Sequence, residues 1–179
     1  MPLNVHVCVA HPAKRTSSKH PRISDAHLRA IGLVAVNFSA LEIHISAFIW
    51  CLILDDQKVG QMITAGMSFP RMIDLLAALV RYKTSDADVL HDLDIFVRQV
   101  SSAEQERNAI MHSAWATTPR GDVSRLKIIA ARKGLKHHFE ARSALELRQV
   151  AYRIGEAARR TLLLLGFLEH KGIVKPPRP

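Results

Sequence analysis

Cysteine is scarce in this sequence, and its scarcity excludes one class of protein. Only Cys8 and Cys51 occur among 179 residues, and they are not arranged as C-x-x-C. Small secreted domains held together by disulfides contain cysteine at a much higher density. The sequence therefore favours a reducing compartment, and we expect a cytoplasmic protein.

Long uninterrupted apolar runs are also lacking. The most apolar region, 34–54, contains Asn37, Glu42 and His44, and its cleanest part, 47–54, has only eight residues. A helix that crosses a bilayer needs about 20. At the N-terminus the positive charges follow the short apolar stretch, whereas a secretory signal places them before it. We expect neither a membrane span nor a signal peptide.

Familiar catalytic loops and metal motifs are absent from the sequence. It contains no nucleotide-binding glycine loop, no H-E-x-x-H and no nucleophile elbow centred on serine. His137 and His138 are adjacent on a predicted strand, so their side chains would point to opposite faces. We expect neither a metal ion nor another cofactor.

Positive charge is concentrated in the last third of the chain. Residues 1–119 contain 11 Lys/Arg and 11 Asp/Glu, whereas residues 120–179 contain 14 and 5, for a net charge of +9. Such an excess suits a polyanion, either nucleic acid or an anionic membrane surface. The alternative is an ordinary solvated helix face. The candidate RNA-binding residues on the last predicted helix are Arg148, Arg153, Arg159 and Arg160.

Apolar periodicity predicts a single, mainly helical domain. Helices are expected over 24–54, 56–65, from 68 onward, 85–115 and 143–172. Each long helix has an apolar stripe that is expected to be buried. The stripe of the first helix is Ile31, Val34, Phe38, Leu41, Ile45, Phe48 and Leu52, that of the fourth is Val89, Leu93, Phe96, Val100 and Ala103, and that of the last is Val150, Ile154, Ala158, Leu162 and Leu165. Ser85 would open the fourth helix, and Ser143 with Glu146 fits a capping box that opens the last one. A β-hairpin is expected near 124–141. Residues 1–23 would form a flexible basic arm, and 173–179 a disordered tail.

Three polar residues near the end of the fourth helix suit RNA cleavage. Asn108 and His112 are four residues apart and share a helix face, and the long side chain of Arg107 can reach the same region. An imidazole can remove the proton of a ribose 2′-OH, and a guanidinium can bind the phosphate on which charge builds. This chemistry needs no metal ion. A single histidine acts as only the base or the acid in one step, so a second donor comes from water or a second copy.

At this segment the sequence resembles the HEPN superfamily, helical proteins that include many metal-independent endoribonucleases of toxin–antitoxin and phage-defence systems. Its signature is Arg, a polar residue, three variable residues and His, matched here by RNAIMH at 107–112. Four arginines in the chain precede a histidine by five positions, and only Arg107 is followed by asparagine. Further similarity lies in Phe38-x-x-Leu41-Glu42 and in the His-x-x-Trp that ends at Trp115.

The resemblance implies a HEPN-like antiparallel helical bundle with a small inserted hairpin. Arg107, Asn108 and His112 would be catalytic, supported by Glu42 and Trp115. The site would be composite, formed across a homodimer, and a cognate antitoxin protein is a possible further partner. No contact with a membrane is implied.

Structural alternatives exist for the site residues. Arg107 takes the position after Ala103 in the apolar stripe of the fourth helix. There it could form an ion pair with Glu42, which interrupts the apolar face of the first helix. His112 could be an ordinary surface or core histidine, and Trp115 could be core packing. Two further functions stay open: a catalytically inactive RNA- or nucleotide-binding module, and a peripheral membrane or scaffolding protein.

Overall fold

The computed structural model describes residues 23–53, 57–118, 121–131 and 134–174. Within these residues the chain is mainly helical with a small antiparallel sheet, as the sequence predicts. The helices are α1 (Asp25–Ile53), α2 (Gln57–Thr64), α3 (Phe69–Lys83), α4 (Ala87–Met111) and α5 (Ala144–His170). The strands are β1 (Ala114–Thr117), β2 (Val123–Ala131) and β3 (Gly134–Ala141). Apart from Ile23, the predicted basic arm lies outside the described residues.

Capping residues set the starts of the long helices. The predicted capping box opens α5, because Ser143 Oγ accepts from the Glu146 N–H at 3.2 Å and Glu146 Oε2 accepts from the Ser143 N–H at 2.7 Å. The assignment of Ser85 to the start of α4 was wrong. Asp86 is the N-cap there, and its carboxylate accepts hydrogen bonds from two N–H groups of the first turn.

Helix α1 contributes one long stripe to the core. Six of the seven residues predicted for this stripe are at most 2% exposed: Val34, Phe38, Leu41, Ile45, Phe48 and Leu52. Helix α5 runs parallel to α1, since Asn37 Nδ2 donates to the Ala151 carbonyl at 2.7 Å and His44 Nδ1 lies 3.1 Å from the Ala158 carbonyl. The seventh residue, Ile31, is only half-buried.

Helix α4 packs antiparallel to α5. Glu106 near the end of α4 pairs with Arg153 near the start of α5, and Asp86 at the other end of α4 pairs with Lys171.

The predicted stripe of α5 is wrong in its last part. Leu162 is 48% exposed, whereas Thr161 and Leu164 are buried. Repeated four-residue steps overshoot a helix of 3.6 residues per turn.

The predicted hairpin is part of a three-stranded sheet with the order β1-β2-β3. Strands β2 and β3 pair antiparallel in a register that places Arg125 opposite Glu140. The prediction that α4 continues to Trp115 was wrong, because the helix ends at Met111 and Trp115 lies in β1. The Trp115 indole N–H donates to the Ile110 carbonyl at 3.0 Å and so caps the helix end.

The packed part of the chain extends past α5. Gly172 has a φ of 70°, which favours glycine, and it turns the chain back after the helix. Ile173 then packs against the core, and Val174 is 2% exposed. Both had been assigned to the tail, and residues 175–179 lie outside the described part of the chain.

Candidate functional site

Arg107 and Asn108 form a connected polar group in the last turns of α4. Arg107 Nη1 donates to Asn108 Oδ1 at 2.8 Å, and Asn108 Nδ2 donates to Glu104 Oε1 at 3.4 Å. The Arg107 guanidinium also lies over the Phe38 ring, with its central carbon 4.8 Å from the ring centroid. A hydrogen bond and a cation–π contact therefore restrain the guanidinium in two directions.

His112 ends the same helix. Its backbone N–H donates to the Asn108 carbonyl at 3.1 Å, which keeps the residue one turn from Asn108. Its side chain is exposed, and no described residue forms a hydrogen bond with the imidazole. The structure thus brings all three predicted catalytic residues to one helix end, with the imidazole open to solvent.

The start of the sheet holds this helix end in place. The Arg125 guanidinium donates to the Ala109 carbonyl at 2.9 Å, and Ser113 Oγ donates to the same carbonyl at 2.7 Å. With the bond from Trp115 to Ile110, these contacts satisfy carbonyls that no further helical turn can reach. Trp115 therefore supports the site by positioning the helix end.

Glu42 does not form the ion pair with Arg107 that the sequence leaves open as a structural alternative. No ion pair within 4 Å joins these two described residues, although both are half-buried. Burial raises the pKa of the Glu42 carboxyl, the nearby charge of Arg107 partly opposes this rise, and the charge of Glu104 adds to it. Glu42 thus interacts with Arg107 through its electric field and does not orient it by a hydrogen bond.

One buried nitrogen of the Arg107 side chain has no hydrogen-bond partner among the described residues. Arg107 Nε is buried and forms no hydrogen bond within the described residues. A buried N–H without an acceptor costs about 1–3 kcal/mol, more for a charged group. An acceptor placed on this nitrogen would therefore recover that free energy.

Two of the four predicted RNA-binding arginines form ion pairs with glutamates of the described chain, and two do not. Arg153 pairs with Glu106 at 2.5 Å, and Arg159 pairs with Glu156 at 2.8 Å. For Arg148 and Arg160, the described part of the chain provides no ion-pair partner. The latter two are the cations of α5 that are least neutralised by the protein itself.

A groove between α4 and α5 collects three of these arginines. It has a volume of about 280 Å³, and its lining includes Tyr152, Arg153, Arg159, Arg160 and Glu106. Arg107, Asn108 and His112 do not line it. A smaller cavity of about 110 Å³ shares Glu106 and Arg153 with the groove and reaches Ala109. The groove thus continues towards the end of α4 without including the catalytic candidates.

The apolar residues near the end of α4 are accounted for within the chain. Ile110 is 5% exposed, and Trp115 packs against the core, so neither forms a second surface. Met111 is 37% exposed. In the sequence, Ile110, Met111 and Trp115 crowd this helix end and by themselves would indicate a dimer contact there, but the structure accounts for most of this crowding by internal packing.

Three residues of this region were not identified from the sequence: Phe38 as the support of Arg107, Arg125 as the cap of α4, and Glu104 as a partner of Asn108. Phe38 belongs to the predicted stripe of the first helix, and Arg107 takes the next stripe position of the fourth helix. The axial register between two helices, which selects Phe38 and not Glu42, has no signal in apolar periodicity.

The described residues contain no group of three or more His, Cys, Asp or Glu side chains that could hold a metal ion. Comparisons with known proteins give no family assignment. No protein-family model matches the chain, and no curated protein or solved structure matches it.

Proposed function

We propose that the protein is a metal-independent endoribonuclease of the HEPN type, acting in the cytoplasm. The observation that carries the proposal is the arrangement at the end of α4. There Arg107 is restrained by Asn108 and Phe38, and the exposed imidazole of His112 lies one turn from Asn108. The RNAIMH match to the HEPN signature supports the same assignment.

Each residue has a defined role in the proposed reaction. His112 accepts the proton of a ribose 2′-OH, and the 2′ oxygen attacks the adjacent phosphorus. Arg107 stabilises the negative charge that builds on the phosphate oxygens, and Asn108 keeps the guanidinium in position. The bond from phosphorus to the 5′ oxygen breaks, and that oxygen takes up a proton. The products are a 2′,3′-cyclic phosphate and a 5′-hydroxyl.

A second proton donor is needed for the leaving oxygen. In the composite arrangement that the HEPN resemblance implies, His112 of a second copy supplies this proton across a homodimer. Water supplies it if the site acts within one copy. A cognate antitoxin protein would act by covering the exposed His112.

The basic last third of the chain would hold the RNA. Arg148 and Arg160 are the cations of α5 that have no ion-pair partner in the described part of the chain, and the neighbouring Tyr152 is 69% exposed, so it can stack on a base. Binding of this kind is largely electrostatic and weakens as salt rises. Phosphate contact by Arg153 or Arg159 would first have to replace their bonds to Glu106 and Glu156.

The nature of the products tests the proposal. Wild-type protein is incubated in EDTA with a mixed-sequence RNA and with the DNA of the same sequence, and the ends of any products are identified. We expect RNA fragments ending in a 2′,3′-cyclic phosphate, while the DNA stays intact because it lacks the nucleophile. Cleavage that requires a divalent metal, or products with a 3′-hydroxyl, would contradict the mechanism.

One observation favours a second candidate function, an inactive RNA- or nucleotide-binding module. General bases are commonly oriented by a third group, and no described residue bonds to the His112 imidazole. This candidate keeps the groove and the unpaired Arg148 and Arg160. Salt-dependent RNA binding without any cleavage would select it.

A further inference from the structure

The outward face of α1 is apolar and uncovered. By length and composition this 29-residue helix could span a membrane, yet only 33% of its most apolar window is buried. Leu33 is 47%, Val36 66% and Ile43 52% exposed. A row of exposed apolar side chains along a helix commonly marks a surface that contacts protein or lipid. The chain as described covers only the inward side of α1.

The three exposed residues and two half-buried alanines follow the spacing of a helix pair. Leu33, Val36, Ala40, Ile43 and Ala47, here named the outer stripe, are separated alternately by three and four positions. This is the repeat with which one helix packs along another. The outer stripe is about 21 Å long at 1.5 Å per residue. It ends before Trp50, whose indole N–H donates to Thr64 Oγ1 near α2 and whose ring approaches Gly60.

We propose that a second copy of this chain covers the outer stripe, with the two α1 helices antiparallel about a two-fold axis near Ala40. In that arrangement Leu33 faces the partner's Ala47, Val36 faces the partner's Ile43, and the two Ala40 residues face each other. A large side chain meets a small one at the ends of the stripe, and small residues at the centre let the helices approach closely. The stripe is therefore complementary to its own reversed copy, as an isologous interface requires.

Charge is also complementary in this arrangement. Arg29 lies 11 residues before Ala40, and Cys51 lies 11 residues after it, so Arg29 of one copy reaches the region of Cys51 in the other. Helix α5 lies beside α1 in a register that pairs Asn37 with Ala151 and His44 with Ala158, so Glu169 lies near the C-terminal end of α1. The charge of Glu169 also contributes, after burial, to the raised pKa of the Cys51 thiol. In the proposed arrangement the exposed Arg29 of one copy lies at the end of α1 where the partner's Glu169 is located, so the two charges attract.

Polar residues on both sides limit the outer stripe to the width of one helix. On one flank Asn37 and His44 are engaged with carbonyls of α5. On the other flank lie Glu42, which is half-buried, and Ser46, whose hydroxyl donates to Met72 Sδ at 3.4 Å. A bilayer would have to accommodate these polar groups, whereas a second helix would not.

Pairing through α1 leaves the end of α4 uncovered. Phe38, which supports the Arg107 guanidinium, belongs to the buried stripe on the inward side of α1. A composite ribonuclease site would therefore need a separate contact between α4 ends. The α1 interface holds or fails independently of RNA cleavage.

Cysteine cross-linking tests this interface directly. In a Cys8→Ser/Cys51→Ser background, Ala40→Cys places two thiols next to the two-fold axis, while Ala109→Cys, on the exposed side of the α4 end, reports a contact between α4 ends. We expect mild oxidation to convert Ala40→Cys into a covalent dimer. A covalent dimer from Ala109→Cys alone would overturn the proposal.

A second measurement uses matched charged substitutions. Val36→Glu/Ile43→Glu should raise the dimer dissociation constant by about 100-fold or more, because it buries charge in the interface. Leu163→Glu, at a residue 57% exposed on α5, should leave the constant unchanged. Circular dichroism should show that all variants keep their helices. Overturning results are a monomeric wild type at micromolar concentration, equal effects of both variants, or a monomer that binds phosphatidylcholine vesicles through Val36 and Ile43.

Discussion

Asn108 and Arg107 are neighbours in sequence and partners in space, because Asn108 Oδ1 accepts a hydrogen bond of 2.8 Å from Arg107 Nη1. Adjacent residues on a helix point about 100° apart, so this contact requires the long arginine side chain to turn towards the amide. Phe38 supports the guanidinium as a second contact. The pair is therefore a positioned cation at the end of α4.

Asn108→Ala should reduce RNA cleavage by about 10–100-fold, because a misplaced catalytic group costs rate without abolishing the chemistry. The loss should appear mainly in kcat, since Asn108 orients Arg107 and is not proposed to hold the RNA. Single-turnover and steady-state kinetics on one short RNA separate the two effects. Unchanged kcat with a raised KM would show that Asn108 contacts the substrate instead.

Phe38→Leu should lower cleavage, whereas Phe48→Leu should not. Both rings are buried in the same stripe of α1, and each substitution should cost about 0.5–3 kcal/mol of stability as a core truncation. Of these two rings, only that of Phe38 makes a cation–π contact with the Arg107 guanidinium. Urea unfolding and cleavage rates measured on both variants check this. Equal losses of activity would mean that the Phe38 contact has no specific role.

Glu42→Gln should stabilise the protein at neutral pH. Burial raises the pKa of this carboxyl in the folded protein above its ordinary value of 4.5, so ionisation disfavours the folded state. The wild-type free energy of unfolding should therefore fall as pH rises from 4.5 through the raised value, and this fall should be smaller in Glu42→Gln. Four other carboxyl groups have lowered pKa values, so the stability they contribute changes mainly at pH values below 4.5; they are Asp86, Glu140, Glu146 and Glu156. Urea titrations from pH 4.5 to 7.5 give the comparison, and identical pH profiles would contradict the prediction.

Arg160→Ala should weaken RNA binding more than Arg71→Ala does. Arg160 lines the groove between α4 and α5 without an ion-pair partner among the described residues, whereas Arg71 is an exposed arginine of α3 outside that groove. Loss of one phosphate contact should reduce the slope of log K against log salt by about 0.7 for a single strand. Fluorescence anisotropy at several salt concentrations measures both slopes. Equal slopes for the two variants would remove the groove from the RNA-binding surface.

Local chemistry explains which parts of the fold could be predicted. The capping box of Ser143 and Glu146, the buried stripe of α1 and the hairpin all depend on residues close in sequence, and the structure confirms them. The end of α4 was missed because Trp115 has the spacing of a helical residue. Its indole instead bonds back to the Ile110 carbonyl, which is a tertiary contact.

In the site, too, contacts between residues close in sequence could be predicted, whereas contacts between different helices could not. Helical spacing was enough to place Arg107, Asn108 and His112 together. It could not show that Phe38 supports Arg107, nor that Glu42 forms no ion pair with Arg107, because both depend on the axial register of α1 against α4. Likewise, the arginines of α5 were identifiable by charge, but their pairing with Glu106 and Glu156 was not.

The most direct measurement of the central claim is the cleavage rate of one RNA, in EDTA, by wild type, His112→Ala and His91→Ala. His91 is an exposed histidine on the same helix and serves as the matched control. The account predicts cleavage by wild type and His91→Ala, no detectable cleavage by His112→Ala, and RNA binding by all three. Undiminished cleavage by His112→Ala, or equal loss in both variants, would contradict it.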